Sequence, residues 1–462
     1  MLSQSRHSGL VGPFATALGL VVLLGACTQP TAAPTSPPAA APTAAPAAKP
    51  TTAAAAPTEA KPAAGQTPAA AAGAVKLTNG GKVVIGVIND QSGVYADLGG
   101  VNGVKAVQMA VDDFKANYGA NALGGPIEVI SADHQNKPDL ASAKAAEFYD
   151  RDQVDMITDV PTSSAALAVA DVAKSKRRLY LNVGAATTEL TGPNCNKYTF
   201  HYSYDTWMLA NGTGVEVTKK LGKKWYIIYP NYAFGQDMDR SFRKAIEGAG
   251  GQILASDPTP FPNEDFSTFL LKAPTLQPEV LGTMQAGVDL RNVVKQYNEF
   301  KLKDQKITLA IGLLFDPDIA ALGPDAYAGT LYTTAWLWTL DDQARAWSDR
   351  FKALAGVRPS YTQAGNYSAT WQYLEAIRRA GTDDPDAVVA QLENYKFEDF
   401  YIRHGSIRKE DHTVVHDAYL AQVKPASEVS EPGDYSKLLS TIPAEQAFRP
   451  VSEAREAGCN MP

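Results

Sequence analysis

From Lys82 onward, short apolar β-branched runs alternate with segments of helical period, and this alternation limits the possible folds more than any other feature. Lys82–Asn89 reads KVVIGVIN, the pattern of a strand buried on both faces. Between Asn102 and Asn117 the apolar positions Val104, Val107, Val111 and Phe114 recur at helical spacing. A strand at Ile127–Ala132, a helix at Asp139–Asp150, a strand at Val154–Val160, a helix at Ser163–Ser175 and a strand at Arg178–Val183 follow. Such strict succession predicts a parallel sheet with right-handed crossovers. After Tyr204 a second series begins, with helices at 206–221, 236–249, 266–272 and 288–301. Its strands are Trp225–Tyr229, 252–256, Val280–Met284 and Ile307–Ile311. The chain continues through Thr330–Thr339 and helices at Asp342–Leu354, Tyr361–Ala380 and Asp384–Leu392. Strand-like segments at 395–402 and 415–423 end the ordered part. The expected fold class is α/β, with two Rossmann-like lobes built on parallel central sheets.

The chain ahead of residue 80 has a different character. Arg6 and His7 precede a mostly apolar run from Phe14 to Leu24. Eleven residues make a helix of about 16 Å, half of a ~30 Å bilayer core, so the run reads as a secretion segment rather than a membrane span. Leu24-Gly25-Ala26-Cys27 is similar to a bacterial lipobox, which makes residues 1–26 a lipoprotein signal peptide and Cys27 the lipidated residue. An ordinary signal peptide with an unmodified cysteine is the other reading. Of the 48 residues from 28 to 75, 39 are Ala, Pro or Thr, and none is aromatic. Such a segment has nothing to bury against the entropy of ordering, so 27–79 is expected to be a disordered tether. About 387 residues remain for folding, enough for two lobes with separate cores.

The net charge is −7 and no basic run is present, which argues against a nucleic-acid partner. Beyond Cys27 only Cys195 and Cys459 occur, both in loop-like contexts. An exported pair of thiols is expected to form one disulfide pinning the C-terminal segment; two free thiols are the alternative.

Motifs of catalysis are missing. The chain has no G-x-S-x-G, H-E-x-x-H or Walker A lysine motif. Gly99–Gly103 lacks a dinucleotide-binding frame and reads as a glycine-rich turn at a helix start. Asp411, His412 and His416 look like half a metal site, but they fall on a predicted turn and strand and read as surface residues. Asp112-Asp113 and Asp341-Asp342 read as solvated helix faces and caps. No enzymatic activity, cofactor or metal is expected.

Polar loops at the carboxyl ends of strands carry more information, because ligands of open α/β sheets bind there. The first strand is followed by Asp90–Asp97, including Ser92 and Tyr95; the third by Pro161-Thr162-Ser163-Ser164; the fourth by Gly184–Glu189. Tyr202-Ser203-Tyr204-Asp205 stands where the two series meet. Ser163 and Ser164 either cap a helix or offer hydroxyls to a ligand carboxylate.

These loops, with VVIGVINDQSGVYADLG at 83–99, LYLNVGAATTELT at 179–191, YAFGQDM at 232–238, DFSTFLLKA at 265–273, AGVDLRNVVKQ at 286–296 and AGNYSATWQYLEAIRRAG at 364–381, carry a resemblance. Residues 80–425 resemble the leucine/isoleucine/valine-binding family of ABC-importer solute-binding proteins, with the type I periplasmic-binding fold. The resemblance implies a cleft between two lobes joined by a three-segment hinge. It implies lobe 1 at 80–203 plus about 333–403, lobe 2 at 204–332 plus about 404–425, and a tail at 426–462.

Carried over by position, Ser163 falls where the family binds a ligand carboxylate, and Ala185 lies in the loop supplying backbone groups to it. Ala186 replaces a threonine, with Thr187 adjacent. Asp289 replaces a glutamate that meets the ligand ammonium, and Phe234 stands for a pocket tyrosine. The departures at Ala186 and Asp289 count against a branched-chain amino acid. The ligand set implied is Ser92, Tyr95, Thr162, Ser163, Ala185, Thr187, Tyr204, Phe234, Gln285, Asp289 and Trp338. SYDTWMLANGTG at 203–214 and TTAWLWTLDDQARAWSDRF at 333–351 resemble the branch associated with aromatic acids. Trp336 and Trp338 share one face of their segment and either line the cleft or pack in a lobe core. Asp205 either caps the following helix or touches ligand.

The implied partners are a small carboxylate ligand, an ABC permease with its ATPase, and a membrane reached through the lipid anchor alone. A monomer on the extracytoplasmic face of a bacterial cell is expected; a receptor ectodomain of the same fold is the alternative.

Overall fold

The structure is a computed structural model and describes residues 75–461. The expectations for the signal peptide, Cys27 and the tether up to residue 74 lie outside the described residues. The tether's expected end at residue 79 is corrected, because Lys76 already bridges to Thr382, the Thr78 N–H donates to Asp383 at 2.6 Å and Asn79 is buried against Asp155.

The first sheet is built from β1 (Val83–Asn89), β2 (Ile127–Asp133), β3 (Met156–Asp159), β4 (Leu179–Asn182) and β5 (Thr199–His201). Its strands run parallel in the order β2-β1-β3-β4-β5. The crossovers are α1 (Gly100–Tyr118), α2 (Pro138–Asp150) and α3 (Ser163–Lys176). Strand alternation explains why β1 is apolar throughout. Val83, Ile85 and Val87 enter one core layer, and Val84 and Ile88 enter the other.

The second half starts with α4 (Thr206–Leu209), which runs through a π-helical turn at Ala210–Gly214 into α5 (Val215–Lys220). Strands β6 (Lys224–Pro230), β7 (Gln252–Thr259), β8 (Val280–Thr283) and β9 (Thr308–Ile311) form a second parallel sheet in the order β7-β6-β8-β9. Helices α6 (Ala233–Gly248), α7 (Ser267–Leu276), α8 (Gly287–Glu299) and α9 (Asp316–Leu322) connect and cover it. On β6, Trp225 and Ile227 face one core layer while Tyr226 and Ile228 face another.

The remaining chain adds to both halves. β10 (Leu331–Thr334) leads to α10 (Asp342–Ala355), α11 (Tyr361–Ala380) and α12 (Pro385–Leu392). Helix α11 is buried over most of its length and packs along α1 and β3. A capping box between Ser360 and Gln363 starts it, and Gly381 at φ +68° ends it. Asp341 caps α10 by accepting from the Ala344 N–H at 2.9 Å. Short strands β11 (Lys396–Phe397), β12 (Gly405–Ile407) and β13 (Val414–Val415) make a small antiparallel sheet.

Order does not stop at residue 423. β14 (Ala418–Val423) pairs antiparallel with both β10 and β15 (Ser436–Ile442), and α13 (Ala444–Ala447) and α14 (Val451–Glu456) follow. β15 carries no alternation, since Lys437 through Thr441, including Leu438 and Leu439, are all exposed on this edge strand. Cys459 is joined to Cys195 with their Cα atoms 5.5 Å apart.

The surface reading of Asp411, His412 and His416 is corrected. All three are buried. The His412 ring stacks on Phe200 at 4.0 Å, and Asp411 pairs with Arg408. His416 uses both ring nitrogens on the carbonyls of Asp417 and Ser203. They tie the small sheet to the end of the first sheet, and among the described residues no cluster suited to a metal occurs.

Candidate ligand-binding site

The carboxyl ends of both parallel sheets face one cleft, so every strand-end loop delivers residues to it. From the first sheet come Tyr95 and Leu98 after β1, Pro161 after β3, and Gly184 and Ala186 after β4. The second sheet supplies Tyr232 and Phe234 after β6, Ala286 after β8, and Leu313 and Phe315 after β9. Tyr204, at the crossing between the sheets, and Thr362 on α11 complete the lining.

Aromatic rings fill most of this space. Phe315 stacks on Tyr361 at 4.4 Å, and Tyr204 meets Tyr361 edge-on at 5.1 Å. Tyr232 stacks on Phe261 at 4.4 Å, and the Tyr95 ring lies 5.8 Å from the same Phe261 ring. The cavity left between them measures about 10 Å³, room for one water.

The two sides touch directly. The Tyr95 and Tyr232 hydroxyls share a hydrogen bond of 2.6 Å. The Val288 N–H donates to the Val94 carbonyl at 3.2 Å. This approach needs Gly287, which holds φ +60° and where a Cβ would lie 2.3 Å from the Val94 oxygen. Arg291 on α8 bridges Asp97 at 2.7 Å and Asp318 at 3.0 Å. At the other edge, Asp237 on α6 accepts from the Thr188 N–H at 2.6 Å and from the Thr206 hydroxyl at 2.7 Å. Arg240 adds a bridge to Glu189 at 2.7 Å.

The candidate residues separate into several groups. Tyr95, Tyr204 and Phe234 line the cleft, and the Tyr204 hydroxyl donates to the Gly184 carbonyl at 2.7 Å. Ser163 opens α3, where its Oγ is buried without a partner, so it does not cap the helix. Thr162 spends its hydroxyl on Asn136. The Ala185 N–H donates to Asn182 Oδ1 at 3.2 Å, and the Ala185 carbonyl accepts from Asn182 and His201. Its backbone is therefore committed within the first half. Thr187 caps the turn Thr188–Thr191 and reaches Asp237 at 3.3 Å.

Gln285 gives its Nε2 to Thr259 at 3.1 Å, while its buried Oε1 has no partner. Asp289 accepts from the Asn263 N–H at 3.0 Å, and burial raises its pKa to about 7. Asp205 caps α4 by accepting from the Met208 N–H at 2.8 Å through Oδ1, and its buried Oδ2 has no partner.

Two expectations are corrected. Ser92 is exposed and donates to Asp133 at 2.6 Å, because the turn closed by Asp90 aims it outward. Trp338 lies under the Arg358 guanidinium at 3.9 Å and donates to the Gly433 carbonyl at 2.7 Å, and it is not among the residues lining the cleft. Trp336 likewise packs with Trp347 and Phe400. Both tryptophans belong to packing.

Sequence reasoning missed Tyr232, Phe261, Phe315 and Tyr361. Tyr232 and Phe315 follow strands β6 and β9, so the strand-end rule applied to the second series would have found them. Tyr361 starts a helix distant in sequence, and no local signal marks it.

A two-lobed α/β protein whose strand-end loops converge on a shared cleft belongs to the class of ligand-trapping binding proteins. Residues 82–428 match the family model described as periplasmic binding protein, and the chain belongs to that family. A periplasmic binding protein from Burkholderia mallei is similar at 41% identity and TM-score 0.78, with 82% of this chain and 99% of that one covered. A branched-chain amino acid ABC transporter periplasmic ligand-binding protein from Burkholderia xenovorans is similar at 36% identity and TM-score 0.72, covering 81% of this chain and 98% of that one. The fold is also shared with a solute-binding protein of an ABC transporter from Rhodopseudomonas palustris in complex with 3,4-dihydroxybenzoic acid. There the identity is 23% and the TM-score 0.70, over 79% of this chain and 98% of the other. The type I periplasmic-binding fold expected from sequence is thus the fold observed.

Proposed function

We propose that the protein captures a small aromatic carboxylate between its two lobes and presents the closed form to an ABC permease in the cell membrane. The observation that carries this reading is the aromatic lining contributed from both sides, Tyr95 after β1 and Tyr232, Phe234 and Phe315 after the second-sheet strands, with Tyr204 at the crossing between them. Flat rings stack on such side chains, at ~0.5–1.5 kcal/mol per pair beyond burial. The buried, partnerless Ser163 hydroxyl at the start of α3 suits a carboxylate, since helix N-termini favour anions.

Lobe 1 comprises 80–203 with about 333–403, and lobe 2 comprises 204–332 with about 404–425; the chain beyond 425 bridges them. Lobe 1 docks the carboxylate through Ser163. Lobe 2 then closes Phe234 and the polar ends of Gln285 and Asp289 over the far side. A benzene-sized guest needs a cavity of about 150 Å³, so entry requires the lobes to part. Cys27 anchors the protein by lipid on the extracytoplasmic face, and the chain from 28 to 74 holds the lobes within reach of the importer. Among the described residues no helix is long and apolar enough to cross a membrane.

A thermal-shift screen over amino acids, benzoate-type acids, amides and urea tests the ligand class. Benzoates are expected to raise the melting temperature most. Strong stabilisation by leucine or valine with none by benzoates would reject the aromatic reading. Closure is tested separately by small-angle scattering, where no compaction at saturating ligand would count against it.

A further inference from the structure

Behind the Gly184 wall of the cleft lies a carboxyl group without a counter-charge. Asp159 ends β3, is fully buried, and sits at φ +80°, with Val160 following at +56°. Backbone of this kind persists where the surroundings over-determine it, and it gathers at functional sites. Its Oδ2 accepts from Asn89 Nδ2 at 2.9 Å, and its Oδ1 has no partner. Three glycines hollow out the space it fills. A Cβ on Gly99, Gly103 or Gly184 would come within 2.6, 3.0 or 2.6 Å of a carboxyl oxygen.

The surroundings are uncharged on every side. β1 supplies Asn89, α11 supplies Asn366 with a partnerless Nδ2, and α1 supplies the backbone of Gly99 and Gly103. The titratable neighbours are the hydroxyls of Tyr180 on β4 and Tyr204, both themselves pushed up by burial. No Lys, Arg or His among the described residues pairs with it. Burial accordingly raises Asp159 to about 6.

This carboxyl abuts the ligand space. The point 2.6 Å from Asp159 Oδ1 where a Gly184 Cβ would stand is also 2.8 Å from the Pro161 Cα. Gly184 and Pro161 both line the cleft. The same turn of chain carries Ser163.

We propose that Asp159 couples ligand capture to proton uptake: a carboxylate docked against the Pro161–Gly184 wall is held with Asp159 neutral, its proton taken from solvent. The proposal rests on reading the ligand as a carboxylate. Two carboxylates sharing one dry site do not both stay ionised, and Asp159 is the one with no cation to hold its charge. Asp159 is thus a positioning residue that makes the site favour acids at low pH and disfavour them as pH rises. Above about pH 6 the affinity for a carboxylate falls roughly tenfold per pH unit, whereas that for the matching amide does not.

Calorimetric titration of the full chain with benzoate, in two buffers of different ionisation heat, reads the proton directly. Uptake approaching one proton per benzoate is expected at pH 7.5, and none with benzamide. In Asp159→Asn the uptake disappears and benzoate affinity becomes flat with pH. If that variant does not fold, infrared difference spectra of the wild type at pH 7.5 replace it, with a protonated-carboxyl C=O band appearing on benzoate addition and not on benzamide addition. Benzoate binding without proton uptake in the wild type overturns the proposal, as does uptake retained in folded Asp159→Asn or the absence of that band. If amides or urea bind and no carboxylate does at any pH, the carboxylate reading itself falls and takes this proposal with it.

Discussion

The hydroxyls of Tyr95 and Tyr232 share a 2.6 Å hydrogen bond that spans the cleft between the two parallel sheets. One residue follows β1 and the other follows β6, so the lobe opening proposed above would break the bond. A neutral hydrogen bond of this type contributes about 1 kcal/mol. Replacing either tyrosine by Phe is expected to weaken ligand binding about fivefold. A double-mutant cycle with both replaced should return a coupling of ~0.5–1.5 kcal/mol from dissociation constants. Additive effects within error would mean that the pair does not support closure.

Ser163 separates stability from binding. Its Oγ is buried and without a partner, so the fold gains nothing from the hydroxyl. Ser163→Ala is expected to leave urea-unfolding stability unchanged or to raise it by about 1 kcal/mol. Loss of a charge-assisted hydrogen bond to a ligand carboxylate should weaken binding by about 1.5–3 kcal/mol, tenfold or more. Equal binding by the variant would remove Ser163 from the site.

Trp338 should behave in the opposite way. Its indole is sandwiched beneath Arg358 and bonded to the Gly433 carbonyl. Trp338→Ala is expected to cost about 3–5 kcal/mol of stability by chemical denaturation. The dissociation constant of the folded fraction should stay within about twofold of wild type, a change of under ~0.5 kcal/mol. A large change in affinity at unchanged stability would return Trp338 to the pocket.

Stability should peak on the acid side of neutral. Burial raises Asp155 and Asp289 to about 7, and Asp159, Asp205 and Asp318 to about 6. The folded state binds their protons more tightly than the unfolded chain, so their contribution is complete below pH ~4 and is lost as pH rises through 6 to 7. His134 and His201 run the other way, since burial lowers both to about 4. Their contribution is present above pH ~6.5 and is lost as pH falls through 4. With more carboxyls than imidazoles in the window, the melting temperature should rise from pH 8 to pH 5 and fall below pH 4. Scanning calorimetry at these pH values checks the order, and a higher melting temperature at pH 8 than at pH 5 would contradict it.

The two sheets were legible because their strands are short, β-branched and buried on both faces, as in the VVIGVIN run of β1. β5 was missed because three residues, Thr199–His201, carry no period. β15 was missed because an edge strand with five consecutive exposed residues looks like a loop. In the site, the first-sheet loops announced themselves through Tyr95, Ser163 and Tyr204. The failures at Ser92 and Trp338 have a common cause. Sequence places a residue on a loop or strand, but its rotamer and its partners, here Asp133 and Arg358, come from chain segments 20 or more residues away. Asp159 escaped notice because its significance lies in what surrounds it, three glycines and no cation.

The disulfide between Cys195 and Cys459 turns 264 residues of sequence separation into one covalent ring. That ring contains the whole second sheet, all of α10 to α12, and every passage of the chain between the halves after residue 195. A protease that cuts any single peptide bond inside it yields two fragments on a reducing gel but one molecule in the oxidising space outside the cell. The trap survives a nick that would split an unstapled chain in two.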